Sequence, residues 1–164
     1  MKFTILLSPD DIRQGVAFSS KKRLFESIAA FVVEKLHCEN GEQACFECLF
    51  EREKLGNSGL GNGVAMPKAK LPATASDKIL AVFMQLDGSV DYDAADNKPV
   101  DIVFAVLVPE NLCQEYIPVL SELNEKLTDK NLIKQLRSAQ SADEIWQIFL
   151  HYDQCEVVQV EPAE

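Results

Sequence analysis

No apolar run in this 164-residue sequence is longer than the seven residues from Ile102 to Val108, far short of the roughly 20 that a membrane-spanning helix requires. The N-terminal Met1-Lys-Phe-Thr-Ile-Leu-Leu is cut off at once by Ser8-Pro-Asp-Asp, too early for the core of a signal peptide. Membrane insertion is not expected, and a cytoplasmic location is. Positive charge is scarce as well: 16 Lys plus Arg against 26 Asp plus Glu leave a net charge of −10, which repels phosphate backbones and anionic lipid. Nucleic acid is thus not an expected partner. Cysteines are few and odd in number, at 38, 45, 48, 113 and 155, so without a secretory signal reduced thiols are expected rather than a disulfide framework. The single CxxC, Cys45 to Cys48, has no second pair to complete a zinc site. Ala44, Cys45, Cys48 and Leu49 fall on one helical stripe, which predicts buried thiols. Nothing indicates a metal or an organic cofactor.

Internal repeats and low-complexity segments are also missing, and the length suits one domain of the usual 100–200 residues or so. The 47% apolar content is enough for a core. Ser19 or Ser20 is placed to cap a helix running to about Leu36, with Leu24, Ile28, Val32 and Leu36 on one face. A second helix is expected from about Gly41 to just before Gly56. Val64-Ala-Met66 and Ile79 to Leu86 read as strands, and Ile102 to Val108, closed by Pro109, as a central strand covered on both faces. Helices follow over about 116–127, 129–138 and 142–151, the last with a Ser141/Glu144 capping box. From Asp153 a frayed acidic tail is expected. The order predicts an α/β layered domain over 1–152, a mixed central sheet flanked by helices.

Glycine is sparse too, yet four of only seven, Gly56, Gly59, Gly61 and Gly63, crowd into eight residues. Glycines admit positive φ and close approach, and successive free N–H groups can form an anion-binding concavity. Pro67 rather than Gly precedes Lys68, so this is not a Walker A loop, and the spacing is not that of a dinucleotide fingerprint. A tight helix-to-strand connection is the competing reading of the same residues.

Read as one string, Glu51-Arg-Glu-Lys-Leu-Gly-Asn-Ser-Gly-Leu-Gly-Asn-Gly-Val-Ala-Met-Pro67 closely resembles the signature of the fructose/mannitol-type (type 2) enzyme IIA family of the phosphotransferase system, its nitrogen-regulatory branch above all. Lys22-Arg-Leu-Phe25, Asp93 to Val100, Phe104 to Pro109 and Ser138 to Glu144 extend the resemblance over roughly residues 10–150. It implies the enzyme IIA type-2 fold. In the family the string continues Pro-His-Gly, and that histidine accepts a phosphoryl group from a histidine-containing phosphocarrier; here it continues Pro67-Lys68-Ala69. A second family histidine, counted from Pro109, falls on Tyr116, while the family arginine is kept as Arg52.

A neutral imidazole, whose ordinary pKa is about 6.5, offers a lone pair at neutral pH; a lysine amine, at about 10.4, is protonated and offers none. His37 and His151 lie near helix ends, outside the glycine-rich segment, where histidines usually cap. The resemblance and this replacement leave three functions open. The first is a regulatory binding protein that cannot accept phosphate and engages a transporter or sensor kinase, as the branch implies. The second is an active carrier accepting phosphate through Lys68, His37 or His151. The third is a pocket in which Arg52 and Lys68, beside Gly59, Gly61 and Gly63, hold a small anion.

Overall fold

The computed structural model describes residues 1–38 and 41–160, with side chains of the last helix as far as Cys155. Its centre is the apolar run found in the sequence. Val100–Pro109 forms β6, and Leu80–Val90, as β5, pairs with it antiparallel with Phe83 opposite Phe104. Ile12–Val16, as β1, pairs parallel with β5. On the other side of β6 lie Val64–Ala65 (β3) and Lys68–Leu71 (β4), one after the other and both parallel to it, with Gly59–Gly61 (β2) antiparallel to β3. The sheet is mixed, as expected.

Strand side chains alternate between two layers, which is why both faces of β5 and β6 are apolar. Val64, Met66, Phe83, Ile102 and Phe104 face one layer, packed by the helices Phe3–Leu6 (α1), Cys113–Lys126 (α4), Lys130–Ser138 (α5) and Ala142–Val160 (α6). Ala65, Val82, Met84, Val103 and Ala105 face the other, under Lys21–Leu36 (α2) and Glu42–Leu55 (α3). Phe149 of α6 is fully buried and meets Phe83 and Phe104 edge-on, contacts that add to the roughly 1.5–3 kcal/mol of burying such a ring.

The helix starts follow their caps. Ser20 accepts from the Arg23 N–H at the start of α2, and Asp129 accepts from Asn131 and Leu132 at the start of α5. At α6, Ser141 accepts from the Glu144 N–H, but the Glu144 carboxylate reaches back one residue further than a capping box requires, to the Gln140 N–H.

Three expectations change. Two strands, β1 and β4, were not anticipated: Ile12-Arg-Gln-Gly-Val16 is too polar and glycine-broken to read as one, and Lys68-Ala-Lys-Leu71 is only four residues long. Cys48 is exposed and Cys45 only half-buried, because α3 turns Leu49 into the core and sets Phe50 against Phe25, with Phe46 against Phe50, instead. Asp153, expected to open a frayed tail, lies inside α6 and is 2% exposed. Its carboxylate accepts from the N–H groups of Phe3 and Thr4 and from the Thr4 hydroxyl, at 2.7–3.1 Å, tying α1 to α6. Residues 161–164 of the expected tail lie outside the described residues. Among the described residues no helix is long and apolar enough to cross a membrane.

Candidate functional site

The edge of the sheet is where the site residues meet. β3 and β4 follow one another along the same side of β6, interrupted at Met66 and Pro67, where the Pro67 carbonyl still accepts from the Val106 N–H at 2.9 Å; β2 covers β3, and β4 is left at the edge. The interruption places Lys68 as the first residue of β4, in register with Val106. Past this edge the two helical layers part, α3 on one side and α4 on the other, around a cavity of about 600 Å³. Arg52 reaches it from α3, Lys68 and Lys70 from β4, and Ile117 and Leu120 from α4.

The cations there are little compensated. Arg52 donates one hydrogen bond, to the Gly56 carbonyl at 3.3 Å, and Lys68 reaches only the Met66 carbonyl at 3.5 Å. Among the described residues neither forms an ion pair, nor does Lys70; Glu51, the acid on the same wall, is paired with Lys54. Partial burial, and then the like charge of Arg52, lower the pKa of Lys68 below its ordinary value, with Glu53 pulling the other way. In the same neighbourhood burial, followed by Cys48 and Glu42, pushes the Cys45 thiol up to about 12, so it stays a thiol rather than a thiolate nucleophile at neutral pH.

Behind α3 lies a buried polar knot. Glu53 is paired with Lys21 at 2.8 Å and accepts from the Ser58 N–H at 2.9 Å. The Ser58 hydroxyl is 2.6 Å from that of Tyr92, and Lys21 sits 4.0 Å over the Tyr92 ring while donating to the Tyr92 carbonyl. Burial, and then Glu53, hold the Tyr92 hydroxyl well above its ordinary pKa, so it remains a neutral hydrogen-bonding group. The knot fixes the glycine-rich segment to the turn of α3 that carries Arg52.

A family model described as "Phosphoenolpyruvate-dependent sugar phosphotransferase system, EIIA 2" matches residues 5–152. The chain belongs to the EIIA type 2 family. Within it the chain falls in the nitrogen-regulatory branch. A Haemophilus influenzae "Nitrogen regulatory protein homolog" is 74% identical over 156 residues, 95% of each chain. The "Nitrogen regulatory protein" of Escherichia coli strain K12 is 36% identical over 148 residues, 90% of this chain and 89% of that one. The crystal structure of IIA-Ntr from Neisseria meningitidis superposes with a TM-score of 0.79 at 36% identity, covering 88% of this chain and 97% of that one.

In this EIIA type 2 domain the cavity brings together two of the candidate anion-site residues named from the sequence, Arg52 and Lys68, but not Gly59, Gly61, Gly63 or Tyr116. Tyr116 is not in its lining: on α4 it is half-buried against the core, while its neighbour Ile117 faces the cavity. The glycines also serve elsewhere. Gly61, Asn62 and Gly63 all have positive φ and turn β2 into β3. A Cβ on Gly63 would lie 2.7 Å from Arg137, and one on Gly59 would lie 2.9 Å from Ala94. Three amides of the segment are taken by the chain itself: Glu53 accepts from Ser58, Asn57 Oδ1 from Gly59, and Asp96 from Asn62. The tight-connection reading of that segment is the one the geometry carries. Sequence reasoning missed Glu53, Lys70, Ile117 and Leu120; the alternation of Lys68 and Lys70 across buried Ala69 was the available signal for two cations on one strand face.

Lowering the Lys68 pKa has a consequence for stability. A lysine whose folded pKa is depressed costs stability wherever the folded chain keeps it protonated, and the cost fades as pH rises from the folded pKa towards the unfolded one. Lys68→Met is therefore expected to raise the thermal midpoint at pH 7, with the advantage shrinking as the pH approaches 10.5, the ordinary lysine value. Calorimetric melts of both proteins between pH 7 and 10 check this; an advantage that grows with pH contradicts it.

Proposed function

We propose that this nitrogen-regulatory EIIA is a phosphotransfer-silent regulatory protein, with Lys68 standing at the position of the family's phosphohistidine and Tyr116 at that of its second histidine. The observation that carries the reading is that the residue after the interruption between β3 and β4 is a cation beside a second cation, Arg52. Phosphoryl transfer requires a lone pair on the acceptor atom. Lys68 has to lose a proton before it can supply one, and among the described residues no carboxylate is paired with it to take that proton. The nearest acid by its effect, Glu53, is engaged by Lys21 and Ser58.

Lys68 is positive, whereas a phosphohistidine is negative, so the substitution does not imitate the phosphorylated state. The protein thus behaves as a permanently unphosphorylated member of its branch, binding other proteins such as a transporter or sensor kinase from the cytoplasm. One fold neighbour, the mannitol enzyme IIA of Escherichia coli, was solved in complex with phosphorylated enzyme IIB, which illustrates that a domain of this shape offers a protein-binding face.

Restoring the imidazole tests the reading. With labelled phosphoenolpyruvate, enzyme I and the histidine-containing phosphocarrier, Lys68→His is expected to take up acid-labile label while the wild type stays unlabelled. Label on the wild type equal to that on the variant sinks the proposal.

A further inference from the structure

We infer that the cavity between α3, β4 and α4 is a binding site for a small amphiphilic anion: a carboxylate or phosphate head held by Arg52 and Lys68, with an apolar body laid against Leu55, Ile117 and Leu120. The inference rests on Lys68 being a binding cation, as proposed above, rather than a phosphoryl acceptor.

Size, charge and surface each point the same way. At about 600 Å³ the cavity is in the range that encloses a small organic molecule, roughly 300–1,000 Å³, and is far larger than a phosphate ion needs. On a chain of net charge −10, three cations without ion-pair partners among the described residues, Arg52, Lys68 and Lys70, gather at this one place. Charge of that sign collected against the chain's overall balance suits an anionic head, and a guanidinium beside an ammonium is well matched to a carboxylate or phosphate.

The apolar half is as specific. The described residues include three exposed large hydrophobic side chains, and two of them, Leu55 at 85% and Ile117 at 55%, stand on opposite walls of this cavity. Their exposure is relieved if an apolar body lies between them. The overall negative charge weakens long-range attraction of any anion. Affinity then comes from contact: each methylene added to a straight-chain ligand strengthens binding about 4-fold until the cavity is filled.

Titration calorimetry with octanoate, octyl phosphate, octanol and inorganic phosphate tests the inference on the full chain. The expected result is saturable one-to-one binding of octanoate and octyl phosphate. Octanol and inorganic phosphate should bind at least about 10-fold more weakly, since each lacks one half of the recognition. Lys68→Met and Arg52→Met should each weaken octanoate about 10-fold, and Ile117→Asp should do the same from the opposite wall, with the melting midpoint confirming that each variant is folded. Octanol binding as tightly as octanoate, phosphate binding as tightly as octyl phosphate, unchanged affinity in both cation variants, or no saturable binding at all would overturn it. The phosphotransfer assay reads a separate quantity: an unlabelled wild type that binds no octanoate leaves the silent-regulator reading standing without this ligand class, whereas a labelled wild type overturns that reading whatever octanoate does.

Discussion

Replacing Glu53 with alanine is expected to lower the free energy of unfolding by about 3 kcal/mol, because removing one partner of a buried ion pair leaves the other uncompensated. Glu53 is 9% exposed and does two jobs, neutralising Lys21 and accepting the Ser58 N–H. Its loss leaves a largely buried ammonium beside Tyr92 and a buried amide without an acceptor. Lys21 keeps the Tyr92 carbonyl and ring, which holds the cost at the low end of such changes. Glu51→Ala, two residues away on the same helix, is the control. Its pair with Lys54 is about 70% exposed on both sides, and such pairs are worth at most about 1 kcal/mol. Urea titrations of both variants check the contrast; equal losses would show that the knot behind α3 does not hold the glycine-rich segment.

The second large effect lies in the other helical layer, where α1 and α6 pack. Asp153→Ala is expected to cost about 2–3 kcal/mol, since it strips the acceptor from two backbone N–H groups and a hydroxyl in a nearly closed environment. Phe3 is fully buried between the sheet and α6, so the carboxylate anchors a core residue as well as a helix start. Ending the chain after Tyr152 should cost at least as much. Ending it after Cys155 should be far milder. If both truncations unfold at the same denaturant concentration as the intact chain, the Asp153 anchor carries no stability.

What the sequence shows of this fold follows how local each cause is. β6 is legible because a strand covered on both faces must be apolar throughout, and Ile102 to Val108 is. α2 is legible from its four-residue spacing and its Ser20 cap. β1 and β4 are not, because each takes its place from strands far along the chain: Ile12 pairs with Phe83, and Lys68 with Val106. The glycine-rich segment is the instructive case. Its backbone freedom is plain from composition, but Ala94 at Gly59, Asp96 at Gly61 and Arg137 at Gly63 are 35 to 74 positions away, so a turn held by Glu53 and Asp96 reads in sequence like an empty anion cradle. Arg52 and Lys68 were visible as a pair through the family resemblance, whereas the apolar half of their cavity waits on the placement of α4.

The same logic separates the exposed Cys48 from the half-buried Cys45. A stripe of Ala44, Cys45, Cys48 and Leu49 suggests a buried face, but burial on α3 is decided by the Phe50 ring against Phe25, with Phe46 against Phe50. These larger groups rotate Cys48 out to the wall of the cavity.

Intact-mass measurement of the wild-type chain, after phosphoenolpyruvate, enzyme I and a histidine-containing phosphocarrier have run to completion beside Lys68→His, tests the proposed silence of Lys68 most directly. The predicted result is an unchanged wild-type mass and one added phosphoryl group on the variant. A wild-type chain carrying one phosphoryl group, on Lys68, His37 or His151, would contradict it.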